Sequence, residues 1–292
     1  MNSAIQGKHQ DITGDALKAQ RFKMLEDIAH ELAGEVVFPT YFDAVMRLRK
    51  VLQDPNNSIG DIANAVVLEP LISAKLLHLS NSVAYNPSGK EITDLKSAIS
   101  RLGIQTVKNT AMAIVMAQLL RARNMAAFTD LTQELWKHTI KTAAASRILA
   151  REKTRINPEE ALFAGLVHDL GAFYMLYRAA QYPELVERPD SLKYLMINWH
   201  ESIGVSLLNA LGIPQEIVDA TIDHDHARPI PVTIRTMGDI VYVANMLAGG
   251  HFEWLMQDQA DMEADIDGLR AQYAEQLPEI DAFTEEMLST FA

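Results

Sequence analysis

The chain has 292 residues, 48% apolar and 22% charged, a balance that supports a packed globular protein and excludes a disordered one. Its 26 Lys and Arg against 38 Asp and Glu give a net charge of −12, which argues against duplex DNA as a partner, because phosphate binding needs a net basic face. There is no cysteine, the N-terminus is polar, and no apolar run approaches the ~20 residues of a membrane span, so a soluble, cytoplasmic protein without disulfide or thiolate chemistry is expected.

Apolar residues recur at three-and-four spacing almost throughout and period-two alternation is absent, which predicts an all-α fold. Phe22, Leu25, Ile28 and Leu32 form the first stripe. Phe42, Val45, Leu48 and Leu52 form the second, with Thr40 as its cap. Ser58 with Asp61 starts the next helix, and Pro70 opens another at its first position. Asn86-Pro-Ser-Gly-Lys90 marks a loop. Helical patterning resumes at Leu95, pauses at Gly103 and continues to Leu120. A second set is expected over Leu135 to Arg151, Pro158 to Leu176, Tyr194 to Leu211, Pro214 to Ile222 and Val232 to Leu247.

A boundary near Asn124 to Asp130 divides the pattern into a two-part helical bundle. The expected organisation is a tail over 1–15, an N-terminal helical part over 16–128, a histidine-bearing helical part over 129–250 and an acidic helical tail over 251–292. That tail holds eleven acids and one base, Arg270; Leu95 to Thr129 holds Lys96, Arg101, Lys108, Arg121 and Arg123 and no acid. The tail reads as a charged terminal helix with frayed ends. The basic stretch reads as a solvated face, a site for a phosphorylated ligand, or a dock for the tail.

His138, His168, His200 and His224 lie roughly one helical hairpin apart, and Asp169 follows His168 inside an otherwise apolar phrase. Imidazole and carboxylate are the usual ligands of a hydrolytic divalent metal. Adjacent helical residues diverge by ~100°, so His168 and Asp169 can share an ion only if other helices close the site between their directions. His200-Glu201 reads either as a ligand with a supporting acid or as a polar face. His224-Asp225-His226 reads either as a chelate or as an exposed helix end, where cationic side chains are favoured by the helix dipole. His9, His30, His78 and His251 lack a paired acid and read as structural or solvent-facing, and Met112, Met116 and Met125 as adaptable core.

Several phrases together resemble the HDOD family, a helical output module related to the HD metal-dependent phosphohydrolases. Glu69-Pro-Leu-Ile-Ser-Ala-Lys-Leu-Leu-His-Leu-Ser-Asn-Ser82 resembles its D-P-x-L…L-L-x-x-x-N-S signature, with Glu69 where aspartate is commoner. Ser97-Ala-Ile-Ser-Arg-Leu-Gly103 is similar to its A-I-x-x-L-G helix. Trp136-Lys-His138, Ala164-Gly-Leu-Val-His-Asp-Leu-Gly171, His200-Glu-Ser-Ile-Gly204 and Gly212-Ile-Pro-Gln-Glu-Ile-Val218 follow in the family's order, so the resemblance runs from about Leu25 to Leu247.

The resemblance implies an HD-type helical core whose metal positions fall on His138, His168, Asp169, His200, His224 and, where the family closes with aspartate, Asn245. Iron, manganese or zinc are the implied divalent metals. A neutral amide is a poorer ligand for a hard cation than a carboxylate, and Ala172 stands where active relatives carry lysine after the His-Asp-x-Gly. The implied function is therefore signal transduction or regulation, through a signalling protein or a nucleotide-type ligand, with a degenerate metal pocket. The alternative is an active phosphohydrolase on a nucleotide or cyclic dinucleotide with Asp169 as metal ligand and orienter. A helical scaffold whose histidines share no role is the third reading.

Overall fold

The computed structural model describes residues 23–30, 43–52, 54–121, 123–226, 228–249 and 259–291. They form α1 (23–30), α2 (Asp43–Leu52), α3 (Ile59–Val67), α4 (Pro70–Ser80) and α5 (Leu95–Leu120). A 3₁₀ turn over Arg123–Phe128 leads to α6 (Thr129–Lys153), α7 (Pro158–Val167), α8 (Leu170–Ala179), α9 (Pro183–Val186) and α10 (Pro189–Ala210). Then follow α11 (Gln215–Ala220), α12 (Met237–Ala248), α13 (Gln259–Gln272) and α14 (Leu277–Phe291). No strand occurs among the described residues. Phe22, Leu32, the Thr40 cap, Phe42, the 1–15 tail, His9 and His251 lie outside them.

Local chemistry sets the helix ends. Ser58 accepts from the Asp61 amide at 3.2 Å and Asp61 accepts from the Ser58 amide at 2.9 Å, a reciprocal box that satisfies two otherwise orphaned donors. Pro70 occupies the first turn of α4, where its missing N–H costs nothing. Thr236 and Asp239 repeat the capping box at α12, which therefore starts five residues later than the expected Val232. Gly103 interrupts α5 at φ 80° and ψ 162°. A Cβ there would meet nothing within 4 Å, so glycine is required by the backbone conformation rather than by crowding.

α6 is the axis of the bundle. Ala143, Ala144 and Ala145 are fully buried on it, and α7, α12 and α14 pack against it. On the other side, α5 joins α2, α3 and α4 to α7, with Met112, Met116 and Met125 in the core as expected. Glu159, at the start of α7, ties the parts together. It accepts from Tyr85 Oη at 3.1 Å, Thr106 Oγ1 at 3.2 Å and Arg147 Nε at 2.7 Å. The Arg147 guanidinium also covers the rings of Tyr85 and Phe283 at 4.9 and 4.8 Å. Burial, and then the Glu159 charge, push the Tyr85 hydroxyl well above its ordinary range, so it stays a donor.

The acidic C-terminal segment is more than a charged surface helix. Ile280, Phe283, Thr284, Met287 and Phe291 form a buried stripe on α14. The ions around it pair mainly with α6: Lys141 with Asp281 at 2.9 Å and Arg151 Nη1 with Glu279 at 2.9 Å. From the basic stretch, Arg121 donates to the Phe291 carbonyl at 2.8 Å. The docking energy comes from the apolar stripe, because exposed ion pairs contribute little and are screened by salt. Raising salt to about 1 M should therefore leave α14 protected in hydrogen exchange. Phe283→Ala should expose it and lower the unfolding free energy by about 3 kcal/mol in urea titration.

Candidate metal centre

The Pro158 to Leu176 segment, expected as one helix, is two. α7 ends at Val167 and α8 begins at Leu170, with His168 and Asp169 at the junction and Asp169 at φ −99°, ψ 16°. At this junction His168 Nε2 stands 3.2 Å from Asp169 Oδ2. His138 comes from α6, His200 from α10, and His224 with Asp225 from the turn after α11.

Glycines bring these elements within reach. A Cβ on Gly165 of α7 would lie 2.9 Å from the Ala143 Cα and the Thr142 carbonyl oxygen of α6. A Cβ on Gly171 of α8 would lie 1.8 Å from the His200 carbonyl oxygen and 2.6 Å from the Gly204 nitrogen of α10. The phrase Ala164-Gly-Leu-Val-His-Asp-Leu-Gly171 thus carries its two ligand types between two sites of backbone contact.

Three imidazoles are held the same way. Nδ1 of His168, His200 and His224 each lies 2.7 Å from a backbone carbonyl, of Gly165, Met196 and Thr221 respectively. A carbonyl only accepts, so Nδ1 carries a hydrogen on each ring and Nε2 is the atom turned inward. This is the second hydrogen bond by which metal-binding histidines are oriented.

The inward atoms converge. His138 Nε2 is 3.3 Å from His168 Nε2 and 3.8 Å from Asp169 Oδ2. Asp169 Oδ1 faces His224 Nε2 at 3.3 Å and His200 Nε2 at 3.7 Å. Asp225 Oδ2 stands 3.6 Å from His200 Nε2 and 3.8 Å from His224 Nε2. Two groups could each hold an ion, His138–His168–Asp169 and Asp169–His200–His224–Asp225, with Asp169 offering one oxygen to each. All the acids and imidazoles except His138, which is half-buried, are closed off from solvent.

Electrostatics follow from this packing. Burial opposes ionisation of Asp169, but His168 and His224 outweigh it and hold the carboxyl well below its usual range. Burial likewise opposes protonation of His224, yet the Asp225 and Asp169 carboxylates and the Thr221 carbonyl win and push its pKa up to about 10 in the metal-free protein.

The His224-Asp225-His226 run divides. His224 and Asp225 point in, whereas His226 is exposed and faces Asp223 at 3.3 Å and Glu201 at 3.6 Å. Glu201 supports the turn rather than His200. It accepts from the Asp223 amide at 2.8 Å, where Asp223 adopts a left-handed φ of 58°. Asp225, outside the expected ligand set, is the acid that sequence reasoning left undecided; its signal was its place beside His224.

Asn245 on α12 lies beside the centre, donating from Nδ2 to Asp225 Oδ1 at 2.6 Å and to the His224 carbonyl at 3.0 Å. Its Oδ1 is buried with no hydrogen-bond partner among the described residues. Ala172 is fully buried in α8. His30 and His78 are both exposed, and neither joins a ligand group among the described residues.

The HDOD domain model matches residues 38–227, from just before α2 to just past the His224 turn. This chain belongs to the HDOD family. Among solved structures it resembles a candidate metal-dependent phosphohydrolase from Shewanella amazonensis SB2B, at a TM-score of 0.73 and 20% identity over 94% of this chain and 100% of that one. An HDOD domain protein with unknown function from Geobacter sulfurreducens gives 0.57 and 19% over 92% and 98%. A candidate signal transduction protein from Marinobacter aquaeolei VT8 gives 0.51 and 18% over 92% and 66%. At these identities the likeness is one of fold, and the fold is the expected all-α HD type. No curated protein matches the chain. No described helix is long and apolar enough to cross a membrane.

Two outcomes follow for this HDOD protein. Gly171→Ala should force α8 from α10 and weaken divalent-metal retention on the order of 100-fold, because a ligand displaced by an ångström is largely lost. Gly268→Ala, where a Cβ meets nothing, should leave retention unchanged; equilibrium dialysis of both variants measures the contrast. Second, His224 must lose its proton to serve as a ligand, so metal uptake at pH 7 should release protons, measurable by calorimetry in buffers of different ionisation enthalpy. Without metal, the stabilisation from the raised pKa is full below about 6.5 and lost as pH rises through about 10, so chelator-treated protein should melt at lower temperature towards pH 10.

Proposed function

We propose that this HDOD protein is a signalling or regulatory module that acts by binding a partner protein or a nucleotide-type ligand, and that its histidine–aspartate centre holds divalent metal. The observation that carries the metal reading is the set of three rings with Nδ1 fixed on backbone carbonyls and Nε2 turned onto Asp169 and one another. Imidazole and carboxylate without thiolate suit iron, manganese or zinc. The ligands are His138, His168, Asp169, His200 and His224, with Asn245 at the position where the family closes with aspartate. A bound ion would supply Lewis acidity; the residues themselves orient the ligands and exclude water.

Regulation is favoured over turnover by two features. The centre is closed by the core, and Ala172 places no cation where developing phosphoryl charge would need one. A cleft of about 200 Å³ between the parts of the bundle, lined by Leu48, Leu52, Lys108, Met112, Phe163 and Ile217, gives a ligand a place to bridge them. A phosphohydrolase remains the second reading because Asp169 offers one oxygen to each of two ligand groups, as a two-metal displacement requires.

Elemental analysis of purified protein should find about one or two divalent ions per chain, lost in the His168→Ala, Asp169→Ala double variant. Bis(p-nitrophenyl) phosphate and cyclic dinucleotides should not be turned over. Hydrolysis abolished by the same double change would replace the regulatory reading with the enzymatic one. Absence of metal would leave a helical scaffold.

A further inference from the structure

We propose that Asp225 supplies the anionic ligand that closes the His200–His224 side of the centre, and that Asn245 is the residue that positions it. The inference rests on the metal reading above and names a division of labour within that site. Asp225 is a buried carboxylate with one oxygen turned to the His200 and His224 Nε2 atoms and the other, Oδ1, held by Asn245 Nδ2 at 2.6 Å.

The orientation of the Asn245 amide is dictated by its surroundings. Nδ2 has two hydrogens and two acceptors, Asp225 Oδ1 and the His224 carbonyl at 3.0 Å. Turning the amide over would set its oxygen against both acceptors, so position 245 works as a donor. A carboxylate there has no hydrogen to give when ionised. It would face the Asp225 charge at hydrogen-bond distance, and two adjacent buried carboxylates do not both ionise. Asparagine at 245 and aspartate at 225 are therefore a matched pair, one donor and one acceptor.

The two residues also differ in rigidity. Asn245 sits on α12, which is capped by Thr236 and Asp239 and fully enclosed around it. Asp225 sits in the turn after α11, whose neighbour Asp223 is in a left-handed conformation. The Asn245 amide thus fastens a loop ligand, and the backbone of the histidine before it, to a rigid helix. The geometry makes this support selective, because both Asn245 hydrogen bonds among the described residues go to the His224–Asp225 turn.

The test is competition with a chromophoric chelator for Zn²⁺, with Co²⁺ absorption reporting coordination, on the full chain. Wild type, Asp225→Asn, Asn245→Ala and, as the control on the other side, His138→Ala are compared. Asp225→Asn keeps the shape and an acceptor for Asn245, so circular dichroism should stay native while affinity at the His200–His224 position falls on the order of 100-fold. Asn245→Ala should weaken the same position by about 10–100-fold and alter the Co²⁺ spectrum, leaving the His138-dependent position at wild-type affinity. Equal weakening of both positions by Asn245→Ala would mark a merely structural role and overturn its assignment. Wild-type stoichiometry, affinity and spectrum in Asp225→Asn would overturn the assignment of Asp225 while leaving the metal reading intact. Wild-type protein that takes up no ion would overturn both. If Asp225→Asn loses its fold, Asn245→Ala alone decides, because its site-selective loss is the result the proposal requires.

Discussion

Four helices and a turn can deliver ligands to one point only if their backbones nearly touch, and here that contact is made at glycine. Gly165 lies against Ala143 of α6, and Gly171 lies against His200 and Gly204 of α10. A methyl group at either position would hold the helices apart by more than the tolerance of a coordination sphere. Everything else about the centre follows from these crossings: the break between α7 and α8, the proximity of His138 to His168, and the approach of His200 to Asp169.

Having been brought together, the side chains are electrostatically incomplete as neutral partners. The His200 and His224 Nε2 atoms lie 3.2 Å apart with the Nδ1 hydrogens already committed to backbone carbonyls on the far side of the rings, so as neutral rings they would present lone pairs to one another. Protons supply the missing positive charge in the metal-free protein, which is why His224 holds its proton to high pH beside two carboxylates. A divalent cation at this point would supply it more fully. Binding of such an ion would be linked to folding through this exchange, because the unfolded chain has no preformed site.

The centre is also coupled to the rest of the bundle. α7 carries Glu159 at one end, bonded to Tyr85, Thr106 and Arg147, and leads to His168 at the other. Arg147 lies on α6, the helix that supplies His138, and also covers Phe283 of α14. A ligand or partner that shifted the N-terminal helices would act on α6 and α7 together, the two helices whose close packing sets the His138–His168 spacing. The C-terminal segment belongs to the same core, since its buried stripe rests on α6 despite its acidic exterior.

The sequence by itself determined the helical class, most helix positions and the residues around which the centre forms. Three-and-four apolar spacing, Ser58 and Pro70 act within a few residues, so their consequences are local and legible. The spacing of His138, His168, His200 and His224 with Asp169 was legible as well, because those residue types in apolar phrases carry few other roles. The tertiary structure alone decided three things. It broke the Pro158 to Leu176 helix at His168, because tight crossings at Gly165 and Gly171 impose two directions on one apolar run. It separated Asp225 from His226, neighbours in sequence, because Asn245 on α12 holds the one inside the bundle while the other meets Asp223 and Glu201 at the surface. It placed the α14 stripe in the core, because net charge counts residues without regard to face, and only a partner surface on α6 makes the buried face count.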